Sequence, residues 1–108
     1  MDNYVAVIKQ WVKENNLKDS YQNVSFKCNV IITTPFNTFE GETTGRVIYD
    51  MYTEVVIYPK LDNYKYPTNY LTRNNHFKIH YDKLLVTGVH PNYGDFSVEI
   101  SPLGYHNG

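Results

Sequence analysis

Cysteine is nearly missing from this chain: Cys28 is the single one among 108 residues. That excludes an internal disulfide and any zinc site built from paired cysteines, and a lone thiol fits a reducing compartment. An excess of charge is missing too, since 10 basic side chains are set against 11 acidic ones. Nucleic-acid binders held by electrostatics carry a clear basic surplus, so that class is not indicated, and neither is an acidic mimic of DNA. No run approaches the roughly 18–20 apolar residues that span a bilayer. The opening MDNYVAVIKQWVKEN lacks a basic segment followed by an uninterrupted apolar one. A cytoplasmic protein with no membrane partner is therefore expected. There is no glycine-rich phosphate loop, dinucleotide fingerprint, Gly-x-Ser-x-Gly elbow or internal repeat. The sequence calls for no cofactor and no metal, and no motif supports catalysis.

What the chain has is tyrosine: 11, against five Phe and one Trp. Tyrosine joins a large rigid face to a hydrogen-bonding tip, a combination favoured at contact surfaces, and it is also a good strand residue. Its length predicts one domain with a core of its own. The longest stretch of strand-forming residues is GRVIYDMYTEVVIY, residues 45–58. Alternation places Val47, Tyr49, Met51, Thr53, Val55 and Ile57 on one, core-facing side. As one strand it would reach roughly 45 Å, far beyond the usual strand, so a bend, or two strands meeting, is expected near Asp50–Thr53.

Before it, Val5, Ile8 and Val12 recur at helical spacing with Tyr4 and Trp11 beside them. Asp2 or Asn3 is suited to cap that helix, and Asn15-Asn16 to end it. Val24, Phe26, Cys28, Val30 and Ile32 alternate as the buried face of a strand, which makes Cys28 an inert thiol. Residues 36–45, FNTFEGETTG, read as turn; Glu40 and Glu42 there lack the burial that acid–base work needs. Phe77, Ile79 and Tyr81 alternate with His76, Lys78, His80 and Asp82, and a new strand segment is expected from Leu84. HPNYGD, residues 90–95, has the makings of a hairpin turn, and Pro102 is expected to stop the last strand. The prediction is an α+β fold: one N-terminal helix near 3–16 on an antiparallel sheet of about four to six strands, near 24–34, 45–58, 76–89 and 95–101, with a long loop at 59–75 and a frayed tail at 103–108. Motifs identify no family. A helix followed by antiparallel strands that wrap it resembles the cystatin-like arrangement, in architecture alone.

Function is expected at the loop 59–75, which is long for so small a domain. Tyr64, Tyr66 and Tyr70 stand there among Lys60, Lys65 and Arg73, and the candidate partner-binding residues are Tyr64, Tyr66, Tyr70, Lys65 and Arg73. A second polar face is formed by His76, Lys78 and His80; on a strand, His76 and His80 lie roughly 13 Å apart and cannot share one metal ion. The leading expectation is a small non-enzymatic binder of a protein partner, in the manner of phage or mobile-element inhibitors that occupy a host macromolecule such as a defence nuclease. The alternative is single-stranded nucleic acid or nucleotide binding through the Tyr/Lys-rich loop. A hydrolase using His90 and Asp95 stands third, and self-association through an uncapped edge strand is a further option.

Overall fold

The structure is a computed structural model that describes residues 4–17, 23–49, 53–58, 70–91 and 94–105. Helix α1 spans Tyr4–Glu14 and buries Ile8, Trp11 and Val12, the positions that the helical spacing brings to one face. It ends as the asparagines require. Asn16 takes φ 51°, the left-handed conformation that Asn tolerates. Asn16 N–H donates to Lys13 O (3.2 Å) and Leu17 N–H to Val12 O (3.1 Å), the paired bonds of a Schellman cap. Leu17 then joins Val12 in the core, which adds an apolar contact to the cap. The expected caps Asp2 and Asn3 lie outside the described residues.

Among the described residues seven strands follow: β1 Asn23–Thr33, β2 Thr38–Tyr49, β3 Thr53–Tyr58, β4 Tyr70–Leu71, β5 His76–His80, β6 Lys83–His90 and β7 Gly94–Tyr105. They form one sheet in the order β4-β3-β2-β1-β7-β6-β5, and every pairing is antiparallel. Apart from the two-residue β4, six strands have five residues or more. The fold is α+β, one helix against a curled antiparallel sheet.

Several boundaries differ from those expected, each for a physical reason. The stretch 45–58 is the end of β2 and all of β3, antiparallel partners with Tyr49 opposite Thr53. Residues 36–45 are mostly strand, because the turn is confined to Thr34–Asn37 and β2 begins at Thr38. Gly45 lies opposite Phe26, whose ring occupies the space above it, so this glycine marks a cross-strand aromatic and not a turn. Pro102 does not stop β7. Cys28 pairs with Pro102 and Lys27 with Gly104, leaving Leu103 as the extra residue of a bulge that lets the strand continue to Tyr105. Residues 76–89 divide into β5 and β6 at a turn through Tyr81 and Asp82. Of the long loop, residues 59–69 lie outside the described residues, and Tyr70–Leu71 pairs with β3 as β4.

The inner face of the sheet supplies Val24, Phe26, Cys28, Val30 and Ile32 from β1, Val47 from β2, Val55 and Ile57 from β3, Leu84 and Val86 from β6, and Phe96, Val98 and Ile100 from β7. Each such side chain contributes about 1.5–3 kcal/mol through burial. The helix is tied to both flanks of this surface. Tyr4 Oη donates to Thr53 O (3.1 Å) at the start of β3, while its ring packs on Phe77 of β5 (5.5 Å between centroids). Trp11 meets Phe26 edge to face at 5.3 Å, and its Nε1 donates to Asp82 O at 2.8 Å. That last bond fixes the β5–β6 turn to the helix.

Candidate binding surface

β5 is an edge: among the described residues it pairs with β6 alone. Phe77 and Ile79 turn inward onto the core, so alternation leaves His76, Lys78 and His80 exposed on the outer face. This is the polar row read from the sequence. Its neighbours on β6 are Thr87 opposite His76, Leu85 opposite Lys78 and Lys83 opposite His80. Lys83 in turn reaches Glu99 Oε1 at 3.6 Å, one strand further in.

Tyr81 corrects an expectation. Alternation grouped it with Phe77 and Ile79, but it stands in the turn and is 86 % exposed. Its φ of 58° belongs to a region that glycine or asparagine occupies at lower cost than a tyrosine. The ring sets its edge against His80 (4.7 Å, 71°), and the backbone one residue later is held by Trp11. A large aromatic is thus displayed on a turn that is both strained and anchored.

A second exposed aromatic occupies the opposite end of the sheet. Phe36, 71 % exposed, sits in the β1–β2 turn. Buried Thr34 holds that turn: its Oγ1 accepts from Phe36 N–H (3.2 Å) and Asn37 N–H (3.1 Å), and its own N–H donates to Asn37 O (2.8 Å). Beside it, an open groove of about 500 Å³ is lined by Thr33, Pro35, His76, Val89, Asp95 and Phe96, among others. Val89, 74 % exposed, adds an apolar side chain to its wall. β5 therefore runs from the groove at His76 to the aromatic turn at Tyr81.

The chemistry-bearing groups do not converge. His76 and Ser97 both line the groove, yet Thr87 pairs with each and separates them by two strand spacings, roughly 10 Å. No nucleophile–base hydrogen bond spans that gap. Asp95 pairs with Val89 and His90 with Gly94, so the two backbones occupy successive rungs of the ladder. Glu40 and Glu42 stand exposed on β2, and Asn29 Nδ2 donates to Glu40 Oε2 at 3.4 Å. Cys28 is fully buried, and desolvation pushes its thiol from 9.0 up to about 12, far from the reactive thiolate range. Among the described residues no three His, Cys, Asp or Glu side chains cluster to hold a metal ion. Nor, among them, is any helix long and apolar enough to cross a membrane.

Of the loop residues singled out in the sequence, Tyr64, Lys65 and Tyr66 lie outside the described residues. Tyr70 opens β4 opposite Val56, and Arg73 is exposed in the turn between β4 and β5. Arg73 thus lies in the turn that leads into the β5 row at His76. Sequence reasoning missed Tyr81, Phe36 and Val89. The usable signal for Phe36 was an apolar residue directly after a proline that ends a strand; Tyr81 carried none, because Tyr-Asp is not a turn pair.

No protein-family model matches the chain, and no curated protein matches it. Among solved structures, a chain described as "Structure of EndoMS-dsDNA2 complex" is similar over 93 % of this chain, with 11 % sequence identity and a TM-score of 0.43. This chain covers 39 % of that one, and a likeness of this degree carries no argument about function.

Proposed function

We propose that the protein is a small non-enzymatic binder that acts by occupying a surface of another macromolecule. The observation that carries this reading is Tyr81: an almost fully exposed aromatic on a positive-φ turn pinned by the buried Trp11. Local backbone strain concentrates where function requires it, and rigid exposed aromatics are the commonest anchors of protein interfaces. Phe36 and Val89 by the groove, and His76, Lys78 and His80 between the two ends, extend the same contact surface, with Tyr64, Lys65, Tyr66, Tyr70 and Arg73 as further candidates. The scattered titratable groups and the buried thiol favour contact over chemistry.

Size and composition suggest the setting: a phage or mobile-element product working in the cytoplasm against a host macromolecule such as a defence nuclease. Capture of partners by the tagged chain from a lysate of its native host, with and without nuclease, tests the reading. The expected result is a protein recovered equally in both samples and lost with Tyr81→Ser. Recovery that vanishes with nuclease would transfer the reading to single-stranded nucleic acid, whose binding falls steeply with salt. Recovery unchanged by Tyr81→Ser would remove Tyr81 as the anchor.

A further inference from the structure

Among the described residues β5 is paired with β6 alone, so its other edge is a row of backbone donors and acceptors to which no strand is hydrogen-bonded; the turn closed by Asn75 N–H to Thr72 O (2.9 Å) leads into it from β4 at the His76 end. Such an edge recruits another strand unless the chain guards it. What guards this one is a lysine, Lys78, set between two imidazoles. From Thr72 to Tyr81 the sequence is TRNNHFKIHY, with Arg73, His76, Lys78 and His80 and no acidic residue. The nearest acidic groups lie off the strand: Asp82 in the turn, Asp95 across the groove from His76, and Glu99, which is engaged by Lys83 two strands in.

A second copy of the chain is a poor occupant. An antiparallel pair of β5 strands that keeps Phe77 and Ile79 on the core side sets members of the His76–Lys78–His80 row against each other. The symmetric register puts Lys78 opposite its own copy. Like charges directly opposite across a strand pair are destabilising. A foreign strand with carboxylates at alternate positions reverses that sign. Its intervening residues would lie along the half-buried Phe77 and Ile79, and so should be apolar.

We infer that the outer edge of β5 accepts an extended segment of a partner protein in which acidic and apolar residues alternate, added to the sheet as an eighth strand beyond the seven described. This rests on the binder reading and names the partner's chemistry at that surface. Main-chain hydrogen bonds supply the affinity, Lys78 with its two histidines selects the acidic face, and Tyr81 closes one end of the site.

The test uses labelled synthetic peptides and the whole chain, read by fluorescence anisotropy and by amide chemical shifts. One peptide alternates Glu with Val, a second alternates Lys with Val, and two more carry N-methyl groups on one or the other alternate set of amides of the Glu peptide. An oligothymidylate serves as the nucleic-acid probe. The Glu peptide should bind about tenfold more tightly than the Lys peptide, and exposed Lys78→Glu should reverse that order. N-methylation of one set should abolish binding while the other is tolerated, and shifts should concentrate on His76–His80. Equal binding of the Glu and Lys peptides, an order unchanged by Lys78→Glu, or equal loss with both methylated sets overturns the inference. So do binding of oligothymidylate alone, dimerisation of the free chain through β5, or no binding at millimolar peptide. Capture of a cellular protein that survives Lys78→Glu removes this inference and leaves the binder reading standing. Glu-peptide binding with no cellular partner does the reverse.

Discussion

Gly45→Ala is a small change with a large expected effect, because of what lies above the glycine. A methyl built there would sit 2.5 Å from Phe26 Cζ and 2.6 Å from Cε2. A flexible side chain would move aside, but Phe26 is fully buried and its ring meets Trp11 edge to face at 5.3 Å. Trp11 in turn is held by the bond from Nε1 to Asp82 O. Relief must therefore displace the ring stack, and overpacking of this kind costs about 1–3 kcal/mol. Against it stands a gain of about 0.4–1 kcal/mol from the stiffer unfolded chain. The net expectation is a loss of about 1–2 kcal/mol, read in urea as a midpoint lowered by about 0.5–1 M for a domain of this size. The Phe26→Leu background removes the obstructing ring atoms, so there the same substitution should cost less than half as much. Displacement of Trp11 should also loosen the turn that displays Tyr81, seen as faster amide exchange at Tyr81 and Asp82. A Gly45→Ala protein as stable as wild type, or a penalty undiminished by Phe26→Leu, would refute the packing argument.

Tyr81→Gly relieves a positive φ at an exposed position, so stability should hold or rise by about 0.5 kcal/mol while partner affinity falls by about 2 kcal/mol. Thermal melts beside binding isotherms check this, and parallel losses would make the tyrosine a structural residue. Cys28 gives a pH signature, because burial raises its folded pKa from 9.0 to about 12. Above pH 9 the unfolded thiol releases its proton and the folded one retains it. Stability should therefore fall as pH rises towards 12, by up to about 1.4 kcal/mol per unit, and Cys28→Ala should remove that part of the slope. Identical slopes for the two proteins would show the thiol titrating alike in both states.

Much of the scaffold was legible because local pattern and global packing agree. The helix is written in the spacing of Ile8, Trp11 and Val12 and in Asn16, whose tolerance of the left-handed region meets the cap. β1 is written in its strict alternation, and the length of 45–58 alone called for the break between β2 and β3. What escaped depends on partners distant in sequence. Gly45 resembles a turn residue until Phe26 is placed across from it. Pro102 resembles a stop until the bulge at Leu103 is seen. The β5 row of His76, Lys78 and His80 was readable from period two, because an edge strand keeps its pattern whatever lies beside it. Tyr81 was not, since its turn is stabilised by Trp11, 70 residues earlier, and not by turn chemistry of its own.

The most direct test of the account is a hydrogen-exchange footprint of the chain with its captured partner bound. Slowed exchange is expected along His76–Asp82, with the remaining sheet amides unchanged and the effect abolished by Tyr81→Ser. Slowing confined to other strands, with β5 and its turn exchanging as in the free chain, would contradict it.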